Sequence, residues 1–580
     1  MIRKLFALFI LSTSLSFATD YYVKTNGNDA LSGTSVGNAW ATISKANNTL
    51  VAGDRVLVLG GEYSGQINPV NSGSAGNYIT YIAYDAAWRP ILRPASGPSA
   101  NLSEDSYIRV EGFGMPRGFD IYKGSHNIFR NDSCAFDTQG KTISYGVGDL
   151  NNTAFNTIRR CFFNANDGMY AEYGSHAGVA MSSDDIGGGC YDNLVDSCMS
   201  IQSSDIGYST FGWQGFNRNV FRADTAMWCH TGFMTEDGVS AHNFLIDRCV
   251  IIQCGINSAD RPAFPGYQLN GHSYELLGQD HLIVRYNVAI NDTNLTGSYI
   301  PSHMYWDEMG ISPDLEGGVV WADATNYYVY NNTIWGRCGN SQEHYIVRVE
   351  IPEAGQVTQN INVKNNIFAR ETNSPTMVYE ANRYGYVNQT VDFDNHFTNN
   401  IFYRTSGTGS DVGAYEDAGG YVGSFTISEL ESSYPARWSS NTLENPVFAD
   451  TTSRGRWINL GLQASSPAID ASDPLTYANG GGSGTSLTVD DAGYFWGGNE
   501  LVPADSIMIG SVKRQISSIS GNVITLTQTA TWSDNTPIYY YSWDKWIGNY
   551  PDIGALEYGT PAPPAEGAEP SIPGKMVIVR

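Results

Sequence analysis

One short phrase of alternating apolar and polar residues recurs down the middle of the chain. It reads Asn127-Ile-Phe-Arg-Asn, Asn156-Thr-Ile-Arg-Arg-Cys, Asn193-Leu-Val-Asp-Ser-Cys, Asn219-Val-Phe-Arg-Ala, Asn243-Phe-Leu-Ile-Asp-Arg-Cys, His281-Leu-Ile-Val-Arg-Tyr-Asn, Asn326-Tyr-Tyr-Val-Tyr-Asn-Asn, Asn360-Ile-Asn-Val-Lys-Asn-Asn and Asn395-His-Phe-Thr-Asn-Asn. Each phrase turns every second apolar residue one way and then stops at Asn or Cys, the pattern of a half-buried strand ending in a turn. The openings recur every 24 to 45 residues, and no stretch between them keeps a helical period. A unit of that length holding several short strands and restarting about nine times predicts a β-solenoid.

Two flanking segments break the pattern. Trp40 to Leu50 reads as a short amphipathic helix covering the first coil, because an open solenoid end exposes unpaired backbone. Thr485-Ser-Leu-Thr-Val, Asp505-Ser-Ile-Met-Ile, Arg514-Gln-Ile-Ser-Ser-Ile and Asn522-Val-Ile-Thr-Leu are alternating strands joined by Gly, Asn and Asp turns. They predict a small antiparallel β module over residues 480–545.

With these elements in place, the chain resembles the right-handed parallel β-helix proteins of the pectate lyase superfamily over roughly residues 20 to 480. The opening Tyr21-Tyr-Val, the run from Asn26 to Thr34, Trp40-Ala-Thr-Ile, Ala52-Gly-Asp and Gly60-Gly-Glu-Tyr resemble the start of that family's chains. Ser466-Pro-Ala-Ile-Asp470 and Pro551-Asp-Ile-Gly-Ala-Leu-Glu-Tyr558 resemble its closing pieces. The resemblance implies an all-β fold with the parallel β-helix over 19–479 and a closing segment at 546–558; the residues themselves add the inserted module at 480–545 and a Pro/Ala/Glu-rich tail at 559–580. The scaffold carries lyases, hydrolases, epimerases and adhesins, so it specifies fold better than function.

Composition narrows the partners. With 33 basic against 58 acidic residues the formal charge is -25, which excludes a nucleic-acid or anionic-membrane surface. Met1 to Lys4 is basic, Leu5 to Leu15 is mostly apolar, and Ser16-Phe17-Ala18 offers small residues at −3 and −1, which reads as a signal peptide over 1–18. The apolar stretch is too short to span a bilayer, so the expectation is a secreted or periplasmic protein, monomeric and without a transmembrane segment.

Stacking sorts the remaining chemistry. Equivalent positions in successive coils form rows about 4.8 Å apart, so a repeated polar residue is read first as structure. Cys161 and Cys198 end their phrases where Asn331, Asn332, Asn365 and Asn366 end theirs, with Cys249 close by, which reads as a stacked turn ladder. Disulfides or metal ligation stay open, Cys249 with Cys254 included, although no CxxC spacing occurs. His126, His242, His281 and His396 lie at phrase openings and read as structural histidines.

His176 and His230 instead begin His-x-Gly followed by alternating apolar residues. Aligning Gly178, Gly232, Gly266 and Gly318 puts Val179, Met181, Phe233, Thr235, Tyr267, Leu269, Val319 and Trp321 on one face. The other face and the following turn then collect Asp184, Glu236, Asp237, Asn270, His272 and Asp323. Carboxylates and histidines gathered within a few coils shift one another's protonation and point to a site. Its expected catalytic members are His230, Glu236, Asp237, His176, His272 and Arg261. Its expected substrate contacts are Asp323, Tyr274, Glu275, Trp306 and Tyr267, with Trp306 and Arg261 on long loops. Oxygen donors for Ca²⁺ would come from Asp184, Asp185, Asp205, Glu236 and Asp237.

The resemblance implies polysaccharide processing. Lyases of that superfamily hold an acidic sugar through Ca²⁺ and use a Lys or Arg base, yet between Tyr107 and Ser410 the lysines are Lys123, Lys141 and Lys364, none in the expected row. Asp184-Asp185 resembles the paired aspartates of polygalacturonase-type hydrolases, whose other motifs are missing. The expectation is therefore a lyase on an acidic glycan, with a glycoside hydrolase or a non-catalytic glycan-binding surface protein as alternatives.

Overall fold

The recurring phrase forms one strand per coil, and these strands pair in parallel without slipping. Ile128 faces Thr157, followed by Leu194, Val220, Leu245, Ile283, Tyr328, Asn362 and His396. One residue on, Phe129, Ile158, Val195, Phe221, Ile246, Val284, Val329, Val363 and Phe397 point inward as a buried apolar row. In the computed structural model the described residues are 18–135, 146–164, 177–183, 188–201, 203, 206–212, 215–229, 231–235, 242–252, 254, 274–277, 280–292, 306–312, 314–316, 319–322, 324–337, 344–350, 358–371, 378–381, 394–405, 411–417, 420–453, 458–541 and 547–559. The expected signal peptide, apart from Ala18, and the tail beyond residue 559 lie outside them.

Three long sheets follow one another coil by coil. The first has 14 strands from Asp20–Val23 to Trp438–Ser439, the second 12 from Gly61–Tyr63 to Ile401–Arg404. The third, also of 12, runs from Ala100–Ser103 to Val412–Asp417 and ends on the antiparallel strand Gly420–Phe425. The chain is a right-handed parallel β-helix.

Both ends are closed. Helix α1 (Ile43–Asn47), capped by the Thr42 side chain, buries Ile43 and Ala46 at the first coil, beside Trp40 stacked on Tyr21. At the far end helix α2 (Ile427–Ser433), which the sequence pattern did not announce, starts with a Thr426/Glu429 capping box and buries Ile427 and Leu430.

Turns are built from left-handed residues and ladders. After the first-sheet strands, Asn131, Arg160, Ser197, Ala223, Arg248, Tyr286, Asn331, Asn365 and Asn399 all have φ between 52 and 58°. The next residue of each coil is buried and satisfies its neighbour. The Cys161 N–H donates to Cys198 Sγ, Cys198 N–H to Asp224 Oδ1, Cys249 N–H to Asn287 Oδ1, then Asn287 to Asn332, Asn332 to Asn366, Asn366 to Asn400 and Asn400 to Asn441. Among the described residues no disulfide joins two cysteines, Cys249 and Cys254 included, and all seven are buried.

The asparagines that open the phrases share one edge in two adjacent rows. Asn127, Asn156, Asn193 and Asn219 are buried and linked, each N–H donating to the next Oδ1. Asn243, Asn326 and Asn360 sit one residue earlier in register, at left-handed φ of 56–60°. His126 and His281 occupy that second row too. His126 stacks between Tyr107 and Phe155, and His281 bonds Asn243 Oδ1 and the Gly493 carbonyl.

The late insertion is a six-stranded antiparallel sheet that takes Thr476–Tyr477 as its first strand, slightly ahead of residue 480, and ends with Pro537–Tyr540. Its apolar side packs on outward residues of the first sheet, Val220, Leu245, Ile283, Tyr328 and Tyr330. The two closing phrases meet: Asp470 N–H donates to Asp552, and Asp470 accepts from Asn549 and Tyr550. Together they cover the outside of the second sheet around Trp335 and Ile367.

Candidate functional site on the third sheet

Connection lengths single out one face. The turn from first to second sheet is short, as between Ile128–Arg130 and Ser133–Ala135. Both borders of the third sheet receive the long connections, from Val250–Ile252 to Tyr274–Leu277 on one side and from Val378–Ala381 to His396–Thr398 on the other. Insertions from a rigid coil are where binding residues concentrate.

Across the third sheet one inward row is core: Val179, Tyr208 and Phe233 are fully buried and in register. The adjacent outward row reads Asn101, Asp120, Asp149, Ala180, Ser209, Met234, Glu275, Gly310, Arg348 and Tyr379. Asp120 and Asp149 are direct partners on neighbouring rungs, about 4.8 Å apart along the backbone. Asp149 is 4% exposed and accepts a 3.0 Å hydrogen bond from Ser182 Oγ, while Asp120 is half-buried. The strand Phe119–Tyr122 ends at Lys123, a left-handed, exposed residue whose ammonium lies 4.8 Å from the Tyr122 ring centre. Two carboxylates in unequal surroundings, with Tyr122 on the strand of Asp120 and Lys123 just after it, are groups that can bind a sugar and move a proton.

Most of the site expected from sequence falls outside the described residues: His176, His230, Glu236, Asp237, Arg261, Tyr267, His272, Asp323, Asp184, Asp185 and Asp205. The backbone places three others. Glu275 takes a position in the outward row, next to Met234. Tyr274 takes the backbone register of Phe233. Trp306 begins the strand Trp306–Ser312 instead of standing in a loop, and pairs with His344.

The proposed alignment on four glycines holds for two. The rung after Phe233 is Tyr274, and the next is Met309, so the Gly266 and Gly318 segments do not supply these rungs. Val319–Ala322 forms a separate antiparallel hairpin with Asp314–Glu316. Gly178 and Gly232 do share a row, with Gly207 between them, and their reason is packing. A Cβ on Gly178 would lie 1.9 Å from Ser200 Oγ, and one on Gly207 2.7 Å from the Gly232 carbonyl. Packing alone therefore accounts for the glycine that follows His176.

The candidates Asp120, Asp149 and Lys123 were not among the residues expected from the sequence. Their coils lack the His-x-Gly start, but Phe119-Asp-Ile-Tyr and Gly148-Asp-Leu-Asn share an alternation that places an acid at the same outward step. Among the described residues no three or more His, Cys, Asp or Glu are grouped to hold a metal, so Asp120 and Asp149 alone fall short of the six to eight oxygens of a Ca²⁺ site. Among the same residues no helix is long and apolar enough to cross a membrane.

No family model matches the sequence, and no curated protein matches it. Solved structures with a similar course include the pectate lyase Pel9A, 14% identical over 94% of this chain and 98% of that one, with a TM-score of 0.41. A GH136 lacto-N-biosidase from Eubacterium ramulus is 13% identical over 73% and 68%, TM-score 0.41. A PL6 family polysaccharide lyase from Pseudopedobacter saltans is 14% identical over 74% and 96%, TM-score 0.35. At such identities no residue role passes to this chain, whose own strand pairing makes it a right-handed parallel β-helix with an antiparallel module docked on its first sheet.

Proposed function

We propose that this chain is a secreted polysaccharide-processing enzyme that works on an acidic glycan along the outward face of the third sheet, as a lyase. The observation that carries the reading is the Asp120–Asp149 pair on neighbouring rungs with Lys123 at the end of the same strand. Lyase elimination needs one group to take the proton beside the sugar carboxylate and another to protonate the departing glycosidic oxygen. Lys123 with two carboxylates supplies both kinds of group, and the long face accommodates several sugars of a polymer.

A glycoside hydrolase is the second reading, favoured by the rung spacing itself. Retaining enzymes hold their two carboxyl groups about 5–5.5 Å apart, close to one rung. Calcium belongs to the lyase reading, because a chain of charge -25 repels an anionic polymer and screening shortens that repulsion only to about 8 Å. Asp184, Asp185, Asp205, Glu236 and Asp237 are its proposed donors, and His230 and Arg261 remain proposed partners in proton transfer and carboxylate binding.

Product chemistry tests this. Purified protein is incubated with acidic and neutral glycans, with and without chelator. Unsaturated ultraviolet-absorbing ends support the lyase, new reducing ends without them the hydrolase, and binding without cleavage overturns both.

A further inference from the structure

A second basin of charge lies away from the third sheet, where the module meets the first sheet. A cleft of about 390 Å³ opens there, lined from the coil side by Arg222, Arg248 and Arg285 and from the module by Lys513, Arg514 and Tyr541. Five cationic side chains face it against two carboxylates, Asp247 and Asp505, although the whole chain carries -25.

The two carboxylates are already committed. Asp505 is held by Arg285 at 2.6 and 2.8 Å, and Asp247 is shared between Arg285 and Arg248. The other cations have donors left over. Among the described residues Arg222 gives only its Nε to a carboxylate, Asp196, and neither of its Nη atoms bonds another of them. Arg248 spends Nε and Nη2 on one oxygen of Asp247. Among the described residues Arg514 bonds only the Thr529 and Lys513 carbonyls, and Lys513, 4.0 Å from the Tyr541 ring centre, pairs with no carboxylate.

Guanidinium forks with free Nη donors match a carboxylate or sulfate in two-pronged fashion. The same walls carry Gln515, Thr527 and Gln528, amides and a hydroxyl suited to a hydroxyl-rich ligand, and the volume lies in the range of small-molecule pockets. We infer that this cleft is an accessory binding site for a carboxylate-bearing oligosaccharide, held by Arg222, Arg248, Lys513 and Arg514 at the junction of module and helix. Its anion preference stands on the cleft alone; the choice of an acidic glycan rests on the reading of function above. The site would tether the polymer on one side of the coil while the third sheet works on another.

Calorimetry in chelator, which removes any cation bridge, tests it with galacturonate, glucuronate and mannuronate trisaccharides, xylotriose and sodium sulfate. One or more uronate trisaccharides should bind one to one, more weakly as salt rises, while xylotriose should not. K513A/R514A, on an exposed hairpin, should weaken binding about tenfold or more with an unchanged melting profile. N535A, at an exposed turn outside the cleft lining, should bind as the unaltered protein does. Failure of all three uronates to bind, equal binding by K513A/R514A, or equal binding of xylotriose overturns the inference. Sulfate binding as tightly as the best trisaccharide overturns the glycan assignment and leaves an inorganic-anion site. Cleft binding without cleavage of any glycan would sink the proposed function and leave this one standing.

Discussion

Arg285 of the first sheet and Asp505 of the module, 220 residues apart, form a two-pronged ion pair with side chains only 2% and 5% exposed. Arg285 also reaches Asp247 and the Tyr330 hydroxyl and lies 3.9 Å from the Tyr540 ring centre, while Asp505 accepts from the Trp496 N–H. Removing one partner strands a buried charge, at a cost of about 3–5 kcal/mol. Asp505→Ala should therefore loosen the module first, seen as an early denaturation step and new proteolysis within 476–541. Arg285→Met combined with Asp505→Leu should recover much of the loss, because Asp247 keeps Arg248.

The Asn ladder makes a sharper stability prediction. Asn332 Oδ1 accepts from the N–H and side-chain amide of Asn287, and its own amide serves Val284, Tyr330 and Asn366. Asn332→Ala leaves several buried groups unpaired, at about 1–3 kcal/mol each. Denaturant titration should show a loss of several kcal/mol, whereas Asn535→Ala, at an exposed turn, should cost far less.

The cysteines should be silent in the folded protein. Burial pushes the Cys190 thiol up to about 12, and Cys134, Cys161, Cys198, Cys229, Cys249 and Cys254 are buried as well. Reaction requires the thiolate. A thiol reagent should spare these seven in native protein and titrate every cysteine after unfolding. A shortfall of two in the unfolded count would reveal a disulfide, Cys249 with Cys254 first among the pairs to map.

Glu557 gives the closing clasp a pH dependence. Burial, then the neighbouring Asp552, raises its pKa from 4.5 to about 8, against hydrogen bonds from the Ile547 and Asp552 N–H groups. Asp552 is raised too, by burial first. An acid with a raised folded pKa stabilises fully below its unfolded value and loses that contribution as pH rises through the folded one. The clasp should thus be firmer at pH 5 than at pH 9, by hydrogen exchange of residues 547–558, and Glu557→Gln should flatten the difference.

What the sequence made legible is what the solenoid repeats. Cys161, Cys198 and Asn332 announced their ladder because each coil must solve the same turn, and the inward apolar row followed from period two. The charge between module and coil was not legible, since Arg285 and Asp505 read as ordinary strand residues until docking buries them. The outward row was legible only in part, for a local reason. Close approach of rungs demands glycine at 178 and 207, so that glycine marks packing whether or not a site follows, while Asp120 and Asp149 repeat only once and make no visible period.

The His230 coil and the Asp120–Asp149 pair are two candidates on the third sheet, and one test separates them. If Asp149, fixed by Ser182 and nearly buried, works with Asp120 and Lys123 in proton transfer, then Asp149→Asn and Lys123→Ala should each lower turnover by about 10²-fold or more. Asp149→Asn keeps the shape and still accepts from Ser182, so the melting profile should barely move and a fall in activity reports chemistry. His230→Ala and Glu236→Ala form the opposing arm. Loss confined to that arm places the chemistry in the His230 coil and leaves the Asp120–Asp149 pair as a structural feature of the sheet. Loss in both arms joins them in one groove, because successive rungs from Asp149 through Ala180 and Ser209 to Met234 span only about 15 Å, a distance that a few sugars of a bound polymer would bridge.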